Sequence, residues 1–177
     1  MDGTTARTSA RGAPTPRHLL GIYLDDHLAG AQAGLSRFRA AARAERGSPA
    51  GAALERLQGE VAEDLRTLES VIAALDLPRR SGFRVLAAVT ERVGRLKPNG
   101  RLVRRSPLAS VVDLEGLLLG VEGKGALWRS LRVLADTEPR LDATRLDALA
   151  ERAERQAAEL EVLRRSAVVE ALGPAAA

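Results

Sequence analysis

Apolar side chains recur every three or four residues through most of this chain, in four separate stripes. The first stripe is Leu20, Tyr23, Leu24, His27, Ala31, Gly34 and Phe38, and it predicts a helix from 16 to about 46. The second is Leu54, Leu57, Val61, Leu65, Leu68, Ile72 and Leu75, opened by Ser48-Pro49. Serine can cap the helix, and proline at the first helical position gives up only a donor that had no partner. The third stretch, 107 to 135, is the most apolar, with Val111, Leu114, Leu118, Val121, Gly125 and Trp128 on one face. Leu108, Val112 and Leu119 widen that face, and Leu117 and Leu127 lie beyond it, so several neighbours must cover this helix. The fourth helix is expected from 142 to 172, on Leu146, Leu149, Ala153, Ala157, Leu160, Leu163, Ala167 and Ala171. Gly173-Pro174 stops it.

Between the second and third stripes lies a stretch of another kind. Residues 78–105 hold a short amphipathic pattern (Val85, Leu86, Val89, Val93) and a basic loop. Arg79, Arg80, Arg84, Arg92, Arg95, Lys97, Arg101, Arg104 and Arg105 stand against Glu91 alone, +8 in a chain whose net charge is +4. A connection this long can cross a bundle end to end, so the third helix can run parallel to the second. The expected architecture is all-α: a four-helix up-down bundle over 16–172, with a long basic crossover containing a short helix. Flexible tails are expected at 1–15 and 173–177.

Composition narrows the chemistry. Aromatic content is 2%, which disfavours sheets. With no cysteine, disulfides, thiolate metal sites and cysteine nucleophiles are excluded. Asp113, Glu115 and Glu122 interrupt the best apolar run before it reaches the roughly 20 residues a bilayer requires. No secretory signal is read, and a cytoplasmic location is expected. Gly120-Val-Glu-Gly-Lys124 lacks the upstream glycine, the following Ser or Thr and the preceding strand of a phosphate loop, so Lys124 reads instead as a partner for a carboxylate. Gly116, Gly120, Gly123 and Gly125 each cost roughly 1 kcal/mol relative to alanine inside a helix. They suggest close approach of another backbone or a local bend.

Each long helix also carries polar groups on or beside its apolar stripe: His27, Asp64 (with Glu60 nearer the edge), Glu115 with Glu122, and Gln156. Buried polar groups must be matched, so these are expected to form a polar layer in which His27 meets Asp64, completed by Tyr23, Gln156 or the two glutamates. On ligand chemistry, His27, Asp64, Glu115 and Glu122 are also an N/O set for Fe, Mn or Zn.

Two helix pairs joined by a long crossover, with inward polar side chains, resemble the ferritin-like superfamily. The pieces YLDDHLAGA, EVAEDL, LEGLLLGVEGK and GRLKPNGRLVRRSP are also similar to an uncharacterised family of actinobacterial helical proteins. The superfamily resemblance implies a di-metal site with Glu from two helices and Glu-x-x-His from the other two. Here Glu115 or Glu122 matches the third-helix carboxylate, and Asp26 or His27 stands where the first helix gives Glu. The Glu-x-x-His motifs are absent: Glu60-Val-Ala-Glu63 and Glu151-Arg-Ala-Glu154 have glutamate in place of histidine.

Three function classes follow. The leading expectation is a non-enzymatic bundle with a structural or partner-binding role, with no cofactor; its partner is another protein or a second copy. The alternative is a divergent ferritin-like metal protein or oxidoreductase. The third is weak nucleic-acid association through the crossover, where Arg79, Arg80, Arg95, Lys97, Arg101, Arg104 and Arg105 are the anion or partner contacts. Phe83 is that segment's one aromatic, which argues against base stacking and makes nucleic acid the least favoured partner.

Overall fold

A computed structural model describes residues 13–77 and 106–174. They form four α-helices, α1 (Pro16–Ala44), α2 (Pro49–Leu75), α3 (Pro107–Leu134) and α4 (Ala143–Leu172), with no strand among the described residues. The short amphipathic helix expected around Val85–Val93 and the basic crossover residues lie outside them.

Local chemistry explains the ends. Thr15, Ser48 and Asp142 each accept a hydrogen bond from a first-turn N–H, and α1, α2 and α3 each begin on a proline. A serine, Ser106, also stands before the first proline of α3. It holds the N-cap position without a side-chain bond, and the Ala109 N–H bonds to its backbone carbonyl at 2.8 Å. α1 stops at Ala44, two residues short of expectation, because the chain turns through Gly47 at φ +86°. Gly51 is required where α2 leaves that turn: a Cβ there would lie 2.2 Å from the Glu45 carbonyl oxygen. Gly173 ends α4 in an extended conformation (φ −69°, ψ 162°), the geometry that the following Pro174 imposes, rather than as a left-handed cap.

Pairings between helices give their directions. From α1 to α3, Tyr23 bonds Ser130 (3.2 Å), Arg37 lies 3.7 Å from Asp113, and Glu45 accepts from Ser110 (2.7 Å). The numbers run in opposite senses, so α1 and α3 are antiparallel. From α2 to α4, Arg56 meets Glu159, Arg152 lies 3.1 Å from Glu63, and Arg145 donates to Thr67 (3.3 Å), again antiparallel. The turns between α1 and α2 and between α3 and α4 reverse the chain. Each helix therefore opposes its packed neighbours, and α2 and α3, on a diagonal, point the same way. The end of α2 and the start of α3 lie at opposite ends of the bundle.

The seams differ. α3 packs closely on α4, and α1 on α2, around a core that includes Leu24, Leu57, Leu68, Leu127, Trp128, Leu131 and Leu160. α2 meets α4 mainly through a ladder of arginine, glutamate and glutamine side chains, and α1 and α3 approach each other less closely than α3 and α4 do. At one end, Arg17 and Arg140 both donate to the Leu75 carbonyl, at 2.8 and 3.0 Å, closing the C-terminus of α2.

Candidate functional site

The polar centre of the bundle is built around Lys124. Its neighbours seven residues away on α3, Leu117 and Leu131, are both fully buried, and the lysine shares their face. The helix thus aims an ammonium inward, where it donates to Asp64 of α2 and to Gln156 of α4. Asp64 and Gln156 are each 1% exposed, and the Lys124 side chain 12%. Gln156 donates in turn to Glu60 at 2.8 Å, and Arg152 Nη1 lies 3.3 Å from the second Asp64 oxygen. That oxygen, Oδ1, accepts no hydrogen bond, because the arginine contact is one of charge and not of hydrogen-bond geometry. Burial lowers the pKa of Lys124, and the Asp64 carboxylate offsets part of that shift.

Several expected site residues take other positions. Asp64 is held by Lys124 rather than by His27. His27 is half-buried, its ring 4.6 Å from that of Tyr23 in an edge-on contact. Burial lowers its pKa, opposed by neighbouring Asp26. Tyr23 lies outside the layer, its hydroxyl donating to Ser130 at the surface. Glu115 and Glu122 face solvent; Glu115 is 50% exposed and 3.9 Å from Arg164. The inward face of α3 runs through Leu117, Val121, Lys124, Trp128 and Leu131, and both glutamates fall off it. Among the described residues no three His, Asp or Glu side chains gather to hold a metal. The di-metal site implied by the ferritin-like resemblance does not fit here, because an ammonium sits among the side chains at mid-bundle. Arg79, Arg80, Arg95, Lys97, Arg101, Arg104 and Arg105 lie outside the described residues.

The Asp64–Lys124 pair also borders a cavity of about 330 Å³ between α1, α2 and α3. Phe38, Val61, Leu65, Leu68, Leu117, Val121, Leu127 and Trp128 supply most of its apolar wall. His27 and Asp26 line it as well. Gly30 and Gly34 of α1 and Gly120 and Gly123 of α3 complete it, and a Cβ built on any of these four meets nothing within 4 Å. The close backbone contact expected of the α3 glycines is therefore not made: Gly116 lies against the Arg37 guanidinium, Gly125 against Arg129 and the Ala153 methyl, and Gly120 and Gly123 against open space. The Trp128 side chain is 1% exposed, and its indole N–H has no acceptor.

Sequence reasoning placed Asp64 and Gln156 in the layer and missed Lys124 as its centre. The heptad Leu117–Lys124–Leu131 was the available signal. No described helix is long and apolar enough to cross a membrane. Compared with known proteins, the chain matches no family model, no curated protein and no solved structure.

Proposed function

We propose that this chain is a non-enzymatic helical bundle with a structural or partner-binding role in the cytoplasm, and that its buried polar layer is architectural. One observation carries the reading: Lys124 bonds Asp64 and Gln156, and Gln156 bonds Glu60, a chain across three helices with an ammonium as the central cation. A layer of this kind specifies which helices meet and in what register, because any slip leaves a buried charge unpaired. The antiparallel packing of neighbours, with α2 and α3 pointing the same way, supports a ferritin-like topology closed by a crossover, here without that superfamily's metal chemistry. Exposed Leu108, Val162, Val169 and Leu172, at the start of α3 and the end of α4, support a contact surface for a protein partner or a second copy.

The test is elemental analysis of the full chain after incubation with Fe(II), Mn(II) or Zn(II) and removal of free metal, alongside Asp64→Asn. Retention well below one equivalent, with thermal stability unchanged by metal, is expected. One equivalent held by the parent and lost in Asp64→Asn would replace the architectural reading with the metal-protein alternative. Light scattering on the same samples, compared with a Val162→Glu, Val169→Glu double variant, measures whether that face joins two copies.

A further inference from the structure

We propose that the α1–α3 face of the bundle is the docking surface for this chain's own residues 78–105, with Val85, Leu86, Val89 and Val93 set against the cavity there. The inference goes beyond an architectural polar layer and would stand without it. It rests on where that stretch of chain begins and ends, and on the chemistry of the two loosely packed seams.

Chain continuity comes first. Residues 78–105 join the end of α2 to the start of α3, and these lie at opposite ends of the bundle. α2 and α3, of 27 and 28 residues, are each about 40 Å long. The joining stretch has as many residues as α3, so fully extended it reaches roughly 90 Å. It therefore travels the length of the bundle with chain to spare. The helices it joins are diagonal, so it passes over α1 or over α4.

The two routes meet opposite surfaces. Over α4 lies the α2–α4 seam, walled among the described residues by arginine, glutamate and glutamine side chains alone. Arg56 pairs with Glu159 across it, and Arg152 with Glu63. Laying valine and leucine there would strip water from matched charges and gain no apolar contact. Over α1 lies the apolar cavity. Gly30 of α1 and Leu119 and Gly120 of α3 line it and are exposed, so it opens to the surface between these two helices. Leu119 is 68% exposed, an apolar edge with apolar wall behind it. Val85, Leu86, Val89 and Val93 recur at helical spacing, and setting them there removes both surfaces from water.

Charge agrees. Asp26 lines the cavity from α1, and Glu115 and Glu122 stand one turn to either side of Leu119 on α3, all three exposed. Lys124, the cation among the described lining residues, is committed to Asp64. Residues 78–105 carry +8, and Arg84, Arg92 and Arg95 flank their apolar pattern. An acidic rim suits that segment, whereas the α2–α4 seam would set its arginines beside Arg56, Arg152 and Arg155.

Cross-linking of the full chain, which has no cysteine of its own, tests the proposal. Leu86→Cys and Val93→Cys are each combined with Gly120→Cys, where a Cβ meets open space, or with Arg155→Cys in the α2–α4 seam, and treated with a short bismaleimide. Adducts of monomer mass are expected with Gly120→Cys, and about tenfold less with Arg155→Cys, because docking raises the local concentration at one face only. Limited trypsin digestion gives a second reading, since residues 79–105 are rich in its cleavage sites. The Leu86→Asp, Val89→Asp double variant should be cut there about tenfold faster relative to cutting within the four helices, and Glu115→Gln with Glu122→Gln should act in the same direction. The proposal fails if Arg155→Cys captures the segment as well as Gly120→Cys does, or if neither captures it. Adducts of dimer mass would also overturn it, because a second copy would then occupy the face. An unchanged cutting rate in the aspartate variant would do the same.

Discussion

Lys124 of α3 and Asp64 of α2 form an ion pair across the diagonal of the bundle, joining two helices whose backbones make no close approach. Only a long side chain can reach there, and it arrives where water is nearly excluded. Each partner is costly to bury alone, and together with Gln156 and Arg152 they are matched.

Breaking the pair from one side should therefore cost more than removing it. Lys124→Met and Asp64→Leu should each lose about 3–5 kcal/mol of stability, and the double variant less than the sum of the two. Urea denaturation of the four proteins gives the coupling directly. Strict additivity would show that the pair contributes nothing as a pair.

The glycines divide into two kinds, and the same substitution should have opposite signs. Gly51→Ala forces a methyl against the Glu45 carbonyl and should cost about 1–3 kcal/mol. Gly120→Ala meets open space and should gain about 0.4–1 kcal/mol. Thermal melts of the two variants beside the parent distinguish these outcomes.

Acid should weaken the fold in two separate windows. The pKa of His27 is lowered from 6.5, so below that pH the unfolded chain binds the proton more readily and stability falls. His27→Gln should flatten the melting temperature between pH 7 and 5. Glu138, bonded by Arg140, and Glu161, bonded by Arg164 and Arg165, are both held down to about 2. Their contribution is present above the ordinary carboxylate value of 4.5 and is lost as the pH falls through about 2. That second phase should persist in His27→Gln and shrink in Glu138→Gln. Lys124, also lowered, acts at the alkaline side: stability should rise with pH from its folded pKa toward 10.5.

Arg17 and Arg140 share the Leu75 carbonyl. Either alone can cap α2, so Arg17→Ala and Arg140→Ala should each cost about 0.5–1 kcal/mol and the double variant more than their sum. Chemical denaturation measures the difference.

Much of this molecule was determined by local chemistry. Serine, threonine and aspartate caps, prolines at first turns and Gly173-Pro174 place the helix ends within two residues, because each acts on the backbone beside it. Asp64 and Gln156 were legible as inward groups because α2 and α4 each have one narrow apolar stripe, and each lies inside it. α3 is different. Its leucines and valines go most of the way round, so periodicity does not say which face is innermost. The face through Val111, Leu114, Val121, Gly125 and Trp128 is buried as its spacing predicts, but the side that Leu108 and Leu119 would add is exposed, at 49% and 68%, and Glu115 and Glu122 lie on that side. The packing of α4 on α3 extends the buried face to the other side, setting Leu117, Lys124 and Leu131 inward. The ion pair with Asp64 further needed α2 and α3 to run in the same direction at one particular register. The cavity depends on how closely α1 and α3 approach. Spacing between whole helices is a balance of many contacts distant in sequence, and no local pattern records it.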